Sequence, residues 1–296
     1  MSAVPAANRD RRSGSLATLN SPVKMFLGRA IGHIPSPYVQ ETRDYMENIR
    51  ANGGGIQVSS LQAVDLFVRT CKDAGFWGDL LEVYPFCGND LTSALVKLKC
   101  ASNPLLTAVN MVAGDYVETG ASGGVAGNGT TKYINSNFPQ SALALAAHLS
   151  IYLRENEVNT GIHYWFGANT STPTIEQTIL GTPNGTVQQG MLGSNSATAT
   201  SAGAPNAGFY YVERNSATDL QLWYQNASVA SSSTSVTPAY QNFNLHICAR
   251  NANGVPSNYS AKKISFCSIG VPLSAQERTT FYNAVVALQT ALNRNV

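Results

Sequence analysis

Ionisable side chains are scarce in this sequence. Asp, Glu, Lys and Arg make up 12% of its 296 residues, against a usual ~25%. The formal net charge is +2, so no basic excess exists to displace counterions, and no nucleic-acid partner is expected. No run approaches the ~18 apolar residues of a membrane span, so no membrane partner is expected either. Met1 to Gly14 is polar and lacks an apolar core, so a secretion signal is not expected. The five cysteines, Cys71, Cys87, Cys100, Cys248 and Cys267, never sit two residues apart, which removes zinc-ribbon spacing. An odd count without a signal reads as reduced, buried thiols, with a disulfide as the alternative. His33, His148, His163 and His246 form no H-x-x-x-H or H-E-x-x-H, and Gly-x-Ser-x-Gly is absent, so neither a metal nor a cofactor is expected. Disorder is excluded by the 44% apolar content.

The charge that is present is unevenly placed. The first 104 residues carry 11 basic and 9 acidic side chains, the remaining 192 only 8 of each. A change of surface chemistry near Asn103-Pro104 follows, dividing the chain into an arm (1–35), a helical region (36–104) and a third region (105–296). The arm is punctuated by Pro5, Pro22 and Pro35 and is basic at Arg9, Arg11 and Arg12, which reads as an anchor that orders against a partner. Tyr38 to Ala51 has helical spacing and ends at Asn52-Gly53. Leu61 to Ala74 is a second helix capped by Ser59 or Ser60, and Asp90 to Leu98 a third.

From Leu105 the pattern becomes short strands between turns. Candidates are Ala113–Glu118, Lys132–Ile134, Ala142–Leu153, Gly161–Gly167, Thr174–Leu180, Thr186–Leu192, Gly208–Arg214, Asp219–Gln225, Phe243–Asn251 and Ala261–Ile269. Asn184-Gly185 between two of them is a hairpin signal. The Ser/Thr-rich stretch Asn226 to Thr237 reads as a loop, as do Ala168 to Thr172 and the glycine-rich Gly120 to Gly129. Ser274-Ala275-Gln276-Glu277 is a capping box that opens a helix with a stripe of Phe281, Val285, Leu288 and Leu292. The fold class is mainly β: an antiparallel sandwich or barrel with a small helical N-terminal region and a C-terminal helix.

Three stretches of the third region carry a family resemblance. One is Ala113-Gly114-Asp115-Tyr116-Val117-Glu118 with Gly129-Thr130-Thr131-Lys132-Tyr133-Ile134-Asn135. Another is Ile247-Cys248-Ala249-Arg250-Asn251-Ala252-Asn253-Gly254. The last runs from Ile264-Ser265-Phe266 through Ser268-Ile269-Gly270 to Leu288-Gln289-Thr290-Ala291-Leu292-Asn293-Arg294. Over 105–296 the chain resembles tailed-bacteriophage virion structural proteins with a concanavalin A-like lectin/glucanase (jelly-roll) fold. The resemblance implies a jelly-roll sandwich on a virion assembled in the host bacterial cytoplasm, with other capsid or tail proteins as partners. It does not imply an enzyme, since this fold hosts many functions.

Chemical candidates were weighed on spacing. Glu155-Asn156-Glu157 places two carboxylates on one side of a strand, as a retaining glycosidase needs, but it sits at a strand end, where a solvated turn is the better reading. The alternating acid run E-x-D-x-x-E of the glucanase branch is missing. Asp115 and Glu118 fall on opposite sides of their strand. Tyr164-Trp165-Phe166 and Trp223-Tyr224 are either core or a platform for sugar or protein contact. Strand alternation turns one of Trp165 and its neighbours outward, so Trp165, Tyr164, Trp223 and Tyr224 are the contact candidates. The three strand histidines are read as hydrogen-bonded strand residues. The reading is a non-enzymatic, homo-oligomeric virion component, a capsid decoration, head-fibre or tail-associated protein held by its N-terminal region. A glycan-binding module for host attachment is the alternative, and a glycoside hydrolase the third.

Overall fold

The computed structural model describes residues 37–101, 103–157, 161–170, 177–194 and 196–296. The arm, with Arg9, Arg11 and Arg12, lies outside the described residues. Among the described residues four α-helices occur: α1 (Gln40–Ala51), α2 (Val58–Asp73), the single turn α3 (Leu91–Ala94) and α4 (Ala275–Ala291). The strands begin with β1 (Leu80–Tyr84), β2 (Thr107–Val109), β3 (Tyr116–Val117), β4 (Gly124–Ala126), β5 (Tyr133–Pro139) and β6 (Ala147–Leu153). Then come β7 (His163–Asn169), β8 (Gln177–Thr182), β9 (Val187–Leu192), β10 (Thr198–Ala202), β11 (Gly208–Ser216) and β12 (Asp219–Tyr224). The last are β13 (Ala227–Ser232), β14 (Asn244–Ile247), β15 (Arg250–Ala252), β16 (Val255–Ser257) and β17 (Lys263–Gly270).

They form two sheets. The eight-stranded sheet runs β13-β12-β11-β6-β17-β4-β3, with β1 also on β17. The nine-stranded sheet runs β10-β9-β8-β7-β14-β5-β2, with β15 and β16 joined at β7. Pairings are antiparallel except β15 on β7. This is the expected antiparallel sandwich.

Period-two alternation in β6, β11 and β17 feeds two cores. Leu149, Ile151, Tyr210, Val212 and Ile269 face the nine-stranded sheet and meet Trp165, Phe166, Leu180, Leu192 and Ile247. The alternate residues Tyr152, Phe209, Tyr211 and Phe266 face the other way and meet Val64, Phe67 and Val68 of α2 and Phe281, Val285 and Leu288 of α4. The predicted stripe of α4 is therefore buried on the sheet, and its capping box is present, with Glu277 N–H donating to Ser274 Oγ and Ser274 N–H to Glu277 Oε2 (2.9 Å). Packing crosses the change in charge density at Asn103-Pro104, since α1, α2 and β1 share this second core with β-region residues.

Several local expectations change. Helix α2 starts at Val58 after Gln57, with no side-chain cap, and Ser60 is buried instead. The turn α3 stops at Ala94 although Asp90 caps it (Ser93 N–H to Oδ1, 2.8 Å), because Val96 bridges to Leu105. Asp115 lies in a 3-10 turn rather than a strand. Asn226 to Thr237 is not all loop: Gln225 and Asn226, both at positive φ (49° and 62°), make a two-residue hairpin turn that lays β13 on β12. Ala168 and Asn169 complete β7, while 171 and 172 lie outside the described residues. The glycine-rich loop contains β4, where a Cβ on Gly124 (φ +123°) would stand 2.7 Å from the Ile264 carbonyl oxygen. Gly123, Gly124 and Gly127 serve close approach, whereas Gly120 and Gly129 sit at positive φ in open turns.

Phe281 is ringed by Phe67, Phe76, Phe209, Tyr211 and Phe266 at centroid distances of 5.6–6.4 Å or within that cluster, each pair involving Phe281 lying between 5.8 and 6.4 Å. Phe281→Ala is expected to lower unfolding stability by about 3–5 kcal/mol, measured by urea denaturation; a change below about 1 kcal/mol would contradict this packing.

Candidate functional site

The four aromatic candidates do not converge. A register shift in β7 between Tyr164 and Phe166 turns Trp165 and Phe166 to the same side. Trp165 is thus fully buried between the sheets, 5.1 Å from Tyr210, and the expected outward residue of that triplet is not exposed. Tyr224 also points between the sheets, 4.9 Å from the Tyr210 ring, and its hydroxyl donates to Ala207 O (2.8 Å). Trp223 faces the helical side. Its Nε1–H donates to Glu213 Oε1 (3.0 Å), and the Arg278 guanidinium lies 3.5 Å from its ring centroid while pairing with the same carboxylate at 2.8 Å. Burial pushes the Glu213 carboxyl upward and Arg278 opposes this. This group clamps the first turns of α4 onto β11 and β12. Only Tyr164 belongs to the outward side of the nine-stranded sheet, with Ile179 and Met191.

The acid candidates are also separated in role. Glu155 pairs with Lys263 (2.6 Å), and Glu157 with Lys262 (3.5 Å). Glu157 is 2% exposed, so the solvated-turn reading fails there: the strand end is covered, and its backbone N–H donates to Pro205 O (2.8 Å). Asp115 pairs with Lys132 (2.7 Å), which holds its carboxyl below the usual range although burial pulls the other way. Glu118 accepts from Gly88 N–H (2.7 Å). Among the described residues no disulfide is present; Cys71, Cys87, Cys248 and Cys267 are buried thiols and Cys100 is half-buried. Among the described residues, no group of three His, Cys, Asp or Glu could hold a metal ion.

His148 is buried beneath α4. A carbonyl can only accept, so Nδ1–H donates to Val271 O (2.6 Å) and Nε2 accepts from Ser268 Oγ (3.2 Å). His163 Nδ1–H donates to Tyr259 O (2.8 Å) in the same way. His246 is 4% exposed, and its Nδ1 has no hydrogen-bond partner among the described residues.

The remaining accessible feature is the outward side of the nine-stranded sheet. The apolar sides of α1, α2 and α4 all join the core behind the other sheet, so none of the long helices among the described residues lies on this side. No strand of the nine-stranded sheet contains Asp or Glu, and its one Lys or Arg is Arg250. Tyr133 lies against His246 (4.5 Å) and meets Tyr259 edge-on (6.2 Å). Arg250 lies 5.0 Å from the Tyr164 ring centroid. Asn135 and Asn137 follow Tyr133 at the i+2 and i+4 positions of β5. Rings beside amide groups, without carboxylates, can stack on and hydrogen-bond a polyol but supply no acid–base pair. Tyr133, Tyr259, His246 and Arg250 were missed from sequence; the readable signal was the run of carboxylate-free strands. A second feature, a cavity of about 220 Å³ between α2 and α4, is lined by Ala63, Leu66, Thr70, Asn283, Ala287 and Ala291 among others.

No family model and no curated protein sequence matches the chain. Solved structures do share its architecture. A mutant of Trypanosoma rangeli sialidase displaying trans-sialidase activity aligns with a TM-score of 0.50 and 12% identity, over 76% of this chain and 39% of that one. Domain 4 of AbnA, a GH43 extracellular arabinanase from Geobacillus stearothermophilus solved with arabinotriose, gives 0.44 and 14%, over 69% and 98%. The CBM40 of Ruminococcus gnavus IT-sialidase, bound to α2,3-sialyllactose, gives 0.40 and 11%, over 53% and 95%. The chain thus spans well under half of the sialidase it matches. At such identities the likeness concerns fold alone: the molecule is an antiparallel β-sandwich.

Burial lowers the pKa of both His148 and His246 to about 4, against 6.5 when unperturbed; a hydrogen bond to Val271 partly opposes this at His148. The unfolded chain therefore binds protons that the native state refuses. Stability is full above about pH 6.5 and falls as pH drops towards 4. Urea midpoints measured between pH 7 and 4 should decline, and His148→Gln should decline less steeply; parallel curves would refute the assignment.

Proposed function

We propose that this chain is a non-enzymatic structural component of a tailed-phage virion, displaying a lectin-like sandwich whose open sheet makes the outward contacts. Its partners are other capsid or tail proteins and further copies of itself, and it is held by its N-terminal region. The virion role is supported by the three sequence blocks named above. Contact in place of hydrolysis is supported by one observation: the sheet on which none of the described long helices packs has tyrosines and asparagines but no carboxylate in its strands. The same observation favours a host-surface glycan as the contacted species. Of the carboxylates named from sequence, Asp115, Glu155 and Glu157 are held in separate ion pairs and Glu118 by the Gly88 N–H, which weighs against the hydrolase reading.

Deleting residues 1–35 should abolish incorporation into particles, read by mass spectrometry of purified virions, while circular dichroism shows an intact β-sandwich; normal incorporation would overturn the anchoring role. On a glycan array, the wild type should bind, and the double variant Tyr133→Ala/Tyr259→Ala should lose roughly tenfold in affinity, about 1.4 kcal/mol. Undiminished binding by that variant would remove this face as the contact surface.

A further inference from the structure

Resting on that reading of the open sheet, we propose that its saccharide ligand is anionic, with one carboxylate, phosphate or sulfate group seated against Arg250. The argument begins with position. In β15, Arg250 stands opposite Gly167 of β7, and His246 of β14 stands opposite the same glycine. Tyr164, three residues before Gly167 and across the register shift, lies beneath the guanidinium. One glycine in the middle strand thus brings the sheet's only guanidinium and the Tyr133–His246 ring pair to one level.

The donors of Arg250 are only partly used. Nε and Nη2 each reach Ser257 Oγ at 3.3 Å. Tyr164 is a further hydrogen-bond partner of the group, but among the described residues no carboxylate lies within salt-bridge distance of it. Stacking on Tyr164 and the bonds to Ser257 fix the plane of the group, so an arriving oxyanion meets an ordered donor. Burial works against the cation, and the neighbouring Tyr164 only partly offsets this; an incoming anion would favour the charged form. The nearest basic residue in sequence to Tyr133, Lys132, is already neutralised by Asp115 at 2.7 Å. His246 is neutral near pH 7, because burial takes its pKa to about 4. Nor does any strand of the sheet carry an acid to repel the ligand. Among the strands of this sheet an anion therefore has one cation to choose and no carboxylate to avoid, while the rings of Tyr133 and Tyr259 remain for the rest of the sugar.

The test uses the full chain and matched oligosaccharide pairs that differ only in the acid group: hexuronates with their methyl esters, and phosphorylated or sulfated glycans with their unmodified parents. The acidic member of a bound pair should bind about tenfold more tightly, as a charge-assisted hydrogen bond supplies, and the gap should shrink with added salt. In Arg250→Gln the two members should bind alike; Arg250→Lys should keep part of the preference, since it keeps the charge but loses the fork. Equal binding by the wild type, or an acid preference that survives Arg250→Gln in a protein with unchanged near-ultraviolet circular dichroism, would overturn the inference while leaving glycan binding in place. Binding of no saccharide of either kind would overturn both this inference and the reading beneath it.

Discussion

Burial of the eight-stranded sheet on both sides is the constraint from which the rest follows. In β6 all seven residues are buried, and in β17 all but Lys263. Such strands need an apolar cover on each face. The nine-stranded sheet supplies one cover; α1, α2 and α4 supply the other. Because the long helices among the described residues are used there, none of them covers the outward side of the nine-stranded sheet, where Tyr164, Ile179 and Met191 bury one another in a small cluster. Its strands carry rings, amides and hydroxyls on that side, which need no ionic partner. The asymmetry between a sealed sheet and an open one is thus a result of where the apolar residues lie.

Scarcity of charge shapes the interior as well. Lys97 and Glu82 pair at 2.9 Å with both side chains almost fully buried, and Glu213 is shared by Arg278 and Trp223. Arg154 and Arg294 are held by backbone carbonyls instead: Arg154 by those of Gly120 and Gly123, Arg294 by those of Pro85 and Phe86. A guanidinium has five donors and no acceptor, so it can satisfy carbonyls that irregular segments leave without ladder partners. Removing one partner of such a buried group leaves an uncompensated charge or several orphaned carbonyls. The few ions of this chain therefore act largely as fasteners for loops and helix ends.

Much of this architecture was legible in sequence, where local chemistry decides it. The capping box at Ser274 and the stripe from Phe281 to Leu292 specify α4 without reference to anything distant. The turn at Asn184-Gly185 likewise joins β8 to β9, with Gly185 at φ +75°. Features fixed by remote partners were not legible. Strand β13 is built of Ala and Ser around a single Val229, with no clear apolar alternation, and exists because β12 offers it an edge. The bulge beside Trp165 overrides alternation and turns a contact candidate into core. Burial of Glu157 depends on Lys262 and Pro205, both distant in the chain. Likewise, nothing local tells that His246 and Arg250 meet opposite one glycine, because the chain must reverse at Cys248 (φ 63°) to bring them there.

The cluster around Phe281 has a bearing on biosynthesis. Helix α2 emerges from the ribosome some 200 residues before α4, its main helical neighbour in the second core. During that interval Val64, Phe67 and Val68 lack their native cover, and the strands that form the floor beneath them are also still to come. Contacts this remote in sequence close slowly and leave apolar surface open to other nascent chains. Yield in a heterologous host should therefore respond more to chaperone supply and growth temperature than to changes on the open sheet.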